Sequence, residues 1–215
     1  MHWAATTCHK DVAELLLVNK AEVNSMAGAD GKTPLHLAAQ WGCKDVAELL
    51  LAHNAKIDAN DTLGATPLHW AVLKGHRDVA ELLLTNKAEV NAKIDYKGAE
   101  TLSYPWSDIV GDTPLHLAVL QGYRDIAELL LDYKAEINSV NEYGDTPLHL
   151  AAHWGYKDVA ELLLANKADV DVKDQLGKTP LDLAVASDHA DVARLLHQFA
   201  GLKQTRPAPR RFHKR

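Results

Sequence analysis

One short run of residues, Thr33-Pro34-Leu35-His36, governs what this chain can become, because the chain writes it again and again. It returns as Thr66-Pro67-Leu68-His69, Thr113-Pro114-Leu115-His116 and Thr146-Pro147-Leu148-His149, then as Thr179-Pro180-Leu181-Asp182. The threonines are separated by 33, 47, 33 and 33 residues. Each copy is followed by a second block such as Lys44-Asp45-Val46-Ala47-Glu48-Leu49-Leu50-Leu51. Within a unit, Thr33 is a good N-cap and Pro34 suits the first helical position, where a missing N–H costs nothing. Gly42 ends the first helix; Val46, Ala47, Leu49 and Leu50 then recur at helical spacing as the buried stripe of a second. Asp45 and Glu48 sit where their charge complements that helix's dipole. A unit of this size cannot bury its apolar face alone, so the units must stack on their neighbours as one elongated domain.

A 33-residue period carrying Thr-Pro-Leu-His-x-Ala resembles the ankyrin-repeat family, over about residues 1 to 202. The resemblance implies an all-α solenoid of about six helix-turn-helix repeats with β-hairpin tips, the first repeat incomplete and the last a cap. The repeats fall at approximately 1–30, 31–63, 64–110, 111–143, 144–176 and 177–202. After the second helix the family usually places a left-handed glycine. This chain has Lys20, Asn54, Lys87, Lys134 and Lys167 there, and a lysine in that conformation costs about 1–2 kcal/mol.

Four departures stand out. The opening Met1-His2-Trp3-Ala4-Ala5 aligns with Leu35-His36-Leu37-Ala38-Ala39, yet the Gly-x-Thr-Pro that starts a unit is missing. Either the chain begins inside a repeat or its bare end packs on another chain; otherwise a monomer is expected. Fourteen extra residues lie between the second and third Thr-Pro-Leu-His copies, in a hairpin loop at 94–110 containing Tyr96, Tyr104, Pro105, Trp106 and Ile109. Two readings stay open for Tyr104 and Trp106: they fold back onto the stack, or they offer an apolar surface to a partner. A smaller irregularity, one residue in Met26-Ala27-Gly28, reads as a bulge in a surface turn. The last unit changes character: Asp182, Asp188 and Arg194 replace His, Gly and Glu, as a polar cap requires.

The net charge of −6 is uneven. Lys203, Arg206, Arg210, Arg211, Lys214 and Arg215 face no acid in the tail at 203–215, which leaves −12 on the body. An acidic body is a poor match for phosphate, so nucleic acid is expected only through this basic tail, read as disordered. No run is long and apolar enough for a membrane span, and Met1-His2-Trp3 lacks the order of a signal peptide. Cys8 and Cys43 occupy non-equivalent positions of successive repeats, and helices stack about 8–10 Å apart. That spacing is beyond a disulfide's reach, so free thiols are expected, with a cytoplasmic location or, through the tail, a nuclear one.

Twelve histidines invite a catalytic or metal reading. Five of them (His2, His36, His69, His116 and His149) hold one repeat position, and equivalent positions stack at repeat spacing instead of converging on an ion. The family gives this imidazole a structural hydrogen-bonding role. No phosphate loop, nucleophile elbow or His-Glu-x-x-His run occurs. No enzyme activity, no cofactor and no metal site are expected. By resemblance, partners bind the hairpin tips and the exposed ends of the first helices along a concave groove. The candidate residues there are Gln40, Trp41, Leu63, Leu73, Lys74, Leu120, Gln121, Tyr143, His153, Trp154 and Leu176, with Tyr104 and Trp106 in the long loop. Trp3 and Trp70 fall at the Leu37 position and are expected in the core. The function expected is a non-catalytic protein-protein interaction module or scaffold. Alternatives are an anionic-surface or nucleic-acid binder working through the tail, and a regulatory subunit of an enzyme.

Overall fold

The computed structural model describes residues 1–96 and 109–204. Twelve helices occur among them, in consecutive pairs: α1 (His2–Thr6) with α2 (Lys10–Val18), α3 (Pro34–Gln40) with α4 (Lys44–Ala52), and α5 (Pro67–Leu73) with α6 (Arg77–Thr85). They continue as α7 (Pro114–Leu120) with α8 (Arg124–Asp132), α9 (Pro147–Trp154) with α10 (Lys157–Ala165), and α11 (Pro180–Ala186) with α12 (Ala190–Gln204). Odd-numbered helices pack on odd-numbered ones and even on even, giving an inner layer of short helices and an outer layer of longer ones.

Side-chain size explains the layering. The inner helices meet through Ala38, Ala39, Ala71, Ala118, Ala151, Ala152 and Ala184, all fully buried and small enough for backbones to approach closely. The outer helices bury pairs one turn apart: Val46 with Leu50, Val79 with Leu83, Ile126 with Leu130, Val159 with Leu163, Val192 with Leu196.

The repeated histidine binds one unit to the next. The Thr33 amide donates to His36 Nδ1 (3.2 Å), which leaves the ring proton on Nε2, 3.0 Å from the Ala65 carbonyl of the following unit. His116 and His149 repeat this toward the Asp145 and Lys178 carbonyls at 3.0 and 3.1 Å, and His69 reaches the Ala92 carbonyl at 3.0 Å. Asp182 holds the histidine's position in the unit at 177–202. Its carboxylate accepts from the Thr179 amide (2.9 Å) and hydroxyl (2.7 Å), so the cap keeps the half of the motif that needs an acceptor and drops the outward donor. A second ladder runs behind the helices. Oδ1 of Asn24, Asp58, Asn91 and Asn138 each accepts from an amide of the next unit, of Lys56, Glu89, Glu136 and Asp169, at 2.8 to 2.9 Å.

Lys20, Asn54, Lys87, Lys134 and Lys167 all have φ between 62° and 70°, the left-handed conformation that follows α2, α4, α6, α8 and α10. The widened turn at Met26-Ala27-Gly28 closes by an isolated bridge, Ala27 to Lys32. Among the described residues no strand accompanies it, and the tips at 61–65, 141–145 and 174–178 are tight turns. Asp61, Asn141 and Asp174 explain why: each carboxylate or amide oxygen accepts two amides of its own turn, closing it within five residues. Helix α12 runs to Gln204, past the expected domain limit at 202; residues 205–215 of the tail lie outside the described residues.

Two expectations are overturned. Cys8 and Cys43 are joined by a disulfide, with Cα atoms 4.9 Å apart. The spacing of helix axes misleads here, because Cys8 lies in the turn after α1 and Cys43 in the turn before α4. At these turns successive units come much closer than their axes do. A Cβ added to Gly42 would stand 2.6 Å from the His76 ring, and one on Gly155 would stand 2.5 Å from the His189 ring. With both sulfurs cross-linked, cysteine usage no longer argues for a reducing compartment. Trp3 is the second correction: it is 62% exposed, stacked on His9 with ring centroids 5.0 Å apart. Trp70 at the same repeat position is buried, and Lys32 of the preceding unit lies across its ring.

Candidate interaction groove

The inner helices and the turns that precede them form one flank of the stack. The turns are in register: the Thr62 amide donates to the Asp30 carbonyl (3.0 Å), Glu142 to Val110 (3.3 Å) and Gln175 to Tyr143 (3.0 Å). Side chains at equivalent turn positions are therefore set in file along this flank.

At its amino-terminal half the flank carries a packed polar cluster. Lys32 is buried, with Nζ 3.5 Å from the Trp70 ring centroid and donating to Gln40 Oε1 at 2.8 Å. Trp70 Nε1 donates to Asp61 Oδ2 at 2.8 Å. Burial lowers the Lys32 pKa, and Asp30 and Asp61 partly oppose that shift. Gln40, a candidate contact residue, has its amide oxygen committed to this cluster. Trp41 beside it caps α3 and is 54% exposed.

The middle of the flank is less available. Leu63, Leu73 and Leu120 are half-buried against the core, whereas Lys74 and Gln121 are exposed. The long insertion leaves from here through a closed neck. The Ile94 amide donates to the Asp112 carbonyl (3.0 Å), and the Gly111 amide donates to the Ile94 carbonyl (2.8 Å). Ile94 stands where other turns have Asp61 or Asn141, and it is buried. Asp112, also buried, accepts from Asn141 Nδ2 at 2.9 Å; burial drives its carboxyl up to about 7, against the pull of that hydrogen bond. Tyr104 and Trp106 lie outside the described residues.

The carboxy-terminal half holds a groove of about 350 Å³, lined by Tyr143, Asp145, His149, Leu150, His153, Asp174, Gln175, Leu176 and Leu183. Three residues singled out in the sequence, Tyr143, His153 and Leu176, converge on it; Trp154 does not line it and is 50% exposed at the end of α9. Leu176 is 84% exposed at the turn's outer edge, and Tyr143 is 45% exposed one unit earlier. Leu150 and Leu183 form the floor. Sequence reasoning passed over both, since they hold the Leu37 position assigned to the core. The available signal was helical spacing: Leu150 lies one turn before His153, so whatever exposes the histidine also bares the leucine. Asp145, half-buried on the wall, has its pKa raised, by burial first and then by Asp174.

His149 is held by the Thr146 amide and the Lys178 carbonyl, and His153 Nδ1 is 3.2 Å from Ser187 Oγ. Among the described residues no group of three His, Cys, Asp or Glu side chains could hold a metal ion, and no helix is long and apolar enough to cross a membrane. A family profile described as ankyrin repeats in three copies matches residues 1–94, 97–174 and 136–206. No curated protein matches the chain. Ankyrin repeats generally mediate protein-protein interaction and are typically non-catalytic. With the profile spanning nearly all of the stack, the chain belongs to the ankyrin-repeat family.

Proposed function

We propose that this protein is a non-catalytic binding module or scaffold that holds an extended segment of a partner protein along the flank of turns and inner helices. The observation that carries this is the groove between Tyr143, Leu150, Leu176 and Leu183, where apolar side chains remain open to solvent beside Asp145 and Asp174. Exposed aromatic and aliphatic groups around a cavity of this size are the usual anchors of an interface. The acidic wall favours a partner segment in which an apolar side chain is followed by a lysine or arginine. Trp41 and Trp154 would add contacts at the rim, one at each end of the flank.

The test is an affinity capture from cell extract with the full chain as bait, followed by mass spectrometry. It is run beside a Tyr143→Ala/Leu176→Ser double variant and a Trp41→Ala/Trp154→Ala double variant. Partners retained in moderate salt by the native chain and lost from both variants support the groove. Capture that survives both pairs of substitutions, or that disappears in salt and on deleting residues 203–215, refutes it and favours the basic tail.

A further inference from the structure

At four interfaces between successive units the same contact recurs. A left-handed glycine after the inner helix lies against the ring that opens the next outer helix: Gly42 on His76, Gly75 on Tyr123, Gly122 on Tyr156, Gly155 on His189. At the first interface both partners are replaced. Cys8 takes the glycine's place, with φ 57°, and Cys43 takes the ring's place, and the two are covalently joined. Besides hydrogen bonds such as Asn24 with Lys56 and His2 with Lys32, the first unit has a thin apolar core. Of α1 and α2 only Ala4, Ala5 and Ala13 are fully buried, while Trp3, Leu15 and Val18 are exposed. A non-glycine residue in the left-handed region is disfavoured, so the cross-link holds the unit in place against its own backbone preference.

The two sulfurs are not equivalent. Cys8 is exposed and Cys43 is buried. An opening of about 230 Å³ lies beside them, lined by Cys8, Gly42, Cys43, Lys44, Asp45 and Val46. Cys43 is the N-cap of the nine-residue helix α4, with Lys44 next to it. The amino end of a helix and an adjacent ammonium both stabilise a thiolate.

From these observations we infer that the Cys8–Cys43 bond is a thiol-exchange site that latches the first helix pair to the stack, opened by a dithiol reductant. One thiolate of the reductant attacks Sγ of Cys8 and forms a mixed disulfide there. The electron pair of the broken bond leaves on Sγ of Cys43, as a thiolate at the helix end. The reductant's second thiolate then attacks its own sulfur in the mixed disulfide and departs as a cyclic disulfide. Cys8 is released as a thiolate that takes a proton from water, and two electrons have passed to the protein. The better leaving group is the sulfur with the lower proton affinity, which directs attack to Cys8. With the bond open, the first interface lacks both the cross-link and the ring-on-glycine contact, and α1–α2 separates more readily from α3–α4.

Hydrogen exchange followed by mass spectrometry on the full chain, before and after treatment with dithiothreitol, tests this. Exchange over residues 2–18 is expected to speed up on the order of a hundredfold, the effect of opening a 35-residue loop, while α9 and α10 keep their protection. Cys43→Ser should show the fast exchange without reductant. Unchanged exchange over 2–18, an equal rise along the whole chain, or two alkylatable thiols in protein purified in air would each overturn the latch. Treatment with excess glutathione and immediate alkylation fixes the direction of attack: the glutathione adduct is expected on Cys8, and an adduct mainly on Cys43 overturns that assignment.

Discussion

Asp112 opposes two of the repeated histidines, His69 and His116, in its response to pH. His69 and His116 are kept neutral by burial down to about pH 4, whereas the unfolded chain protonates its histidines near 6.5. Acidification from about 6.5 to 4 therefore favours unfolding. Burial drives the Asp112 carboxyl the other way, to about 7, so its proton is lost on unfolding and stability falls as pH rises from about 4 toward 7. Asp112→Asn, which can still accept from Asn141, should leave stability unchanged near pH 4. At pH 8 it should add roughly 1–3 kcal/mol. Thermal melts at the two pH values measure this, and an equal shift at both would show that the carboxyl is not the cause. Lys87, exposed at φ 69°, is a simpler case: Lys87→Gly should raise stability by about 1 kcal/mol, and a lower melting temperature contradicts the strain argument. What could be read at this scale from sequence was whatever recurs. Thr-Pro-Leu-His and the left-handed lysines repeat in register, so each copy corroborates the others. Cys8 with Cys43, and Ile94 with Asp112, occur once each, and their roles depend on how close two turns come, which no period encodes.

At the level of elements, helix pairing followed directly from the second block's apolar spacing, and α3 to α11 begin where their Thr-Pro or their Lys-Asp and Arg-Asp pairs stand. The contacts between units were harder to read, because a glycine and an aromatic 34 or 48 residues apart have no visible relation until the units are stacked. Gly155→Ala tests that contact. Its Cβ would meet the His189 ring at 2.5 Å on a left-handed backbone, so a loss of about 1–3 kcal/mol in denaturant unfolding is expected. Gly201→Ala, inside α12 where nothing lies within 4 Å, should cost nothing and gain up to about 1 kcal/mol of helix propensity. The rear ladder makes a parallel case: Asn138→Ala removes the acceptor of the Asp169 amide and should cost about 1 kcal/mol, with the faster exchange confined to the turn between α10 and α11.

At the scale of the molecule, the described helices pack within a unit and on the adjacent units, so stability is close to a sum of units and interfaces and damage stays local. That the stack presents one flank in file was legible from the period alone. Which stretch of the flank is open was not. The half-buried state of Leu73 and Leu120 and the floor of Leu150 and Leu183 depend on the reach of adjacent side chains. The neck at Ile94 and Asp112 has a bearing on how such a chain can change. Sixteen residues stand between Ile94 and Gly111 where two stand between Asp61 and Gly64, yet the Asn91–Glu136 and His69–Ala92 hydrogen bonds on either side are intact. An insertion that leaves and re-enters through such a closed neck adds chain at one point of the period without altering the hydrogen bonds that set the pitch of the neighbouring helices.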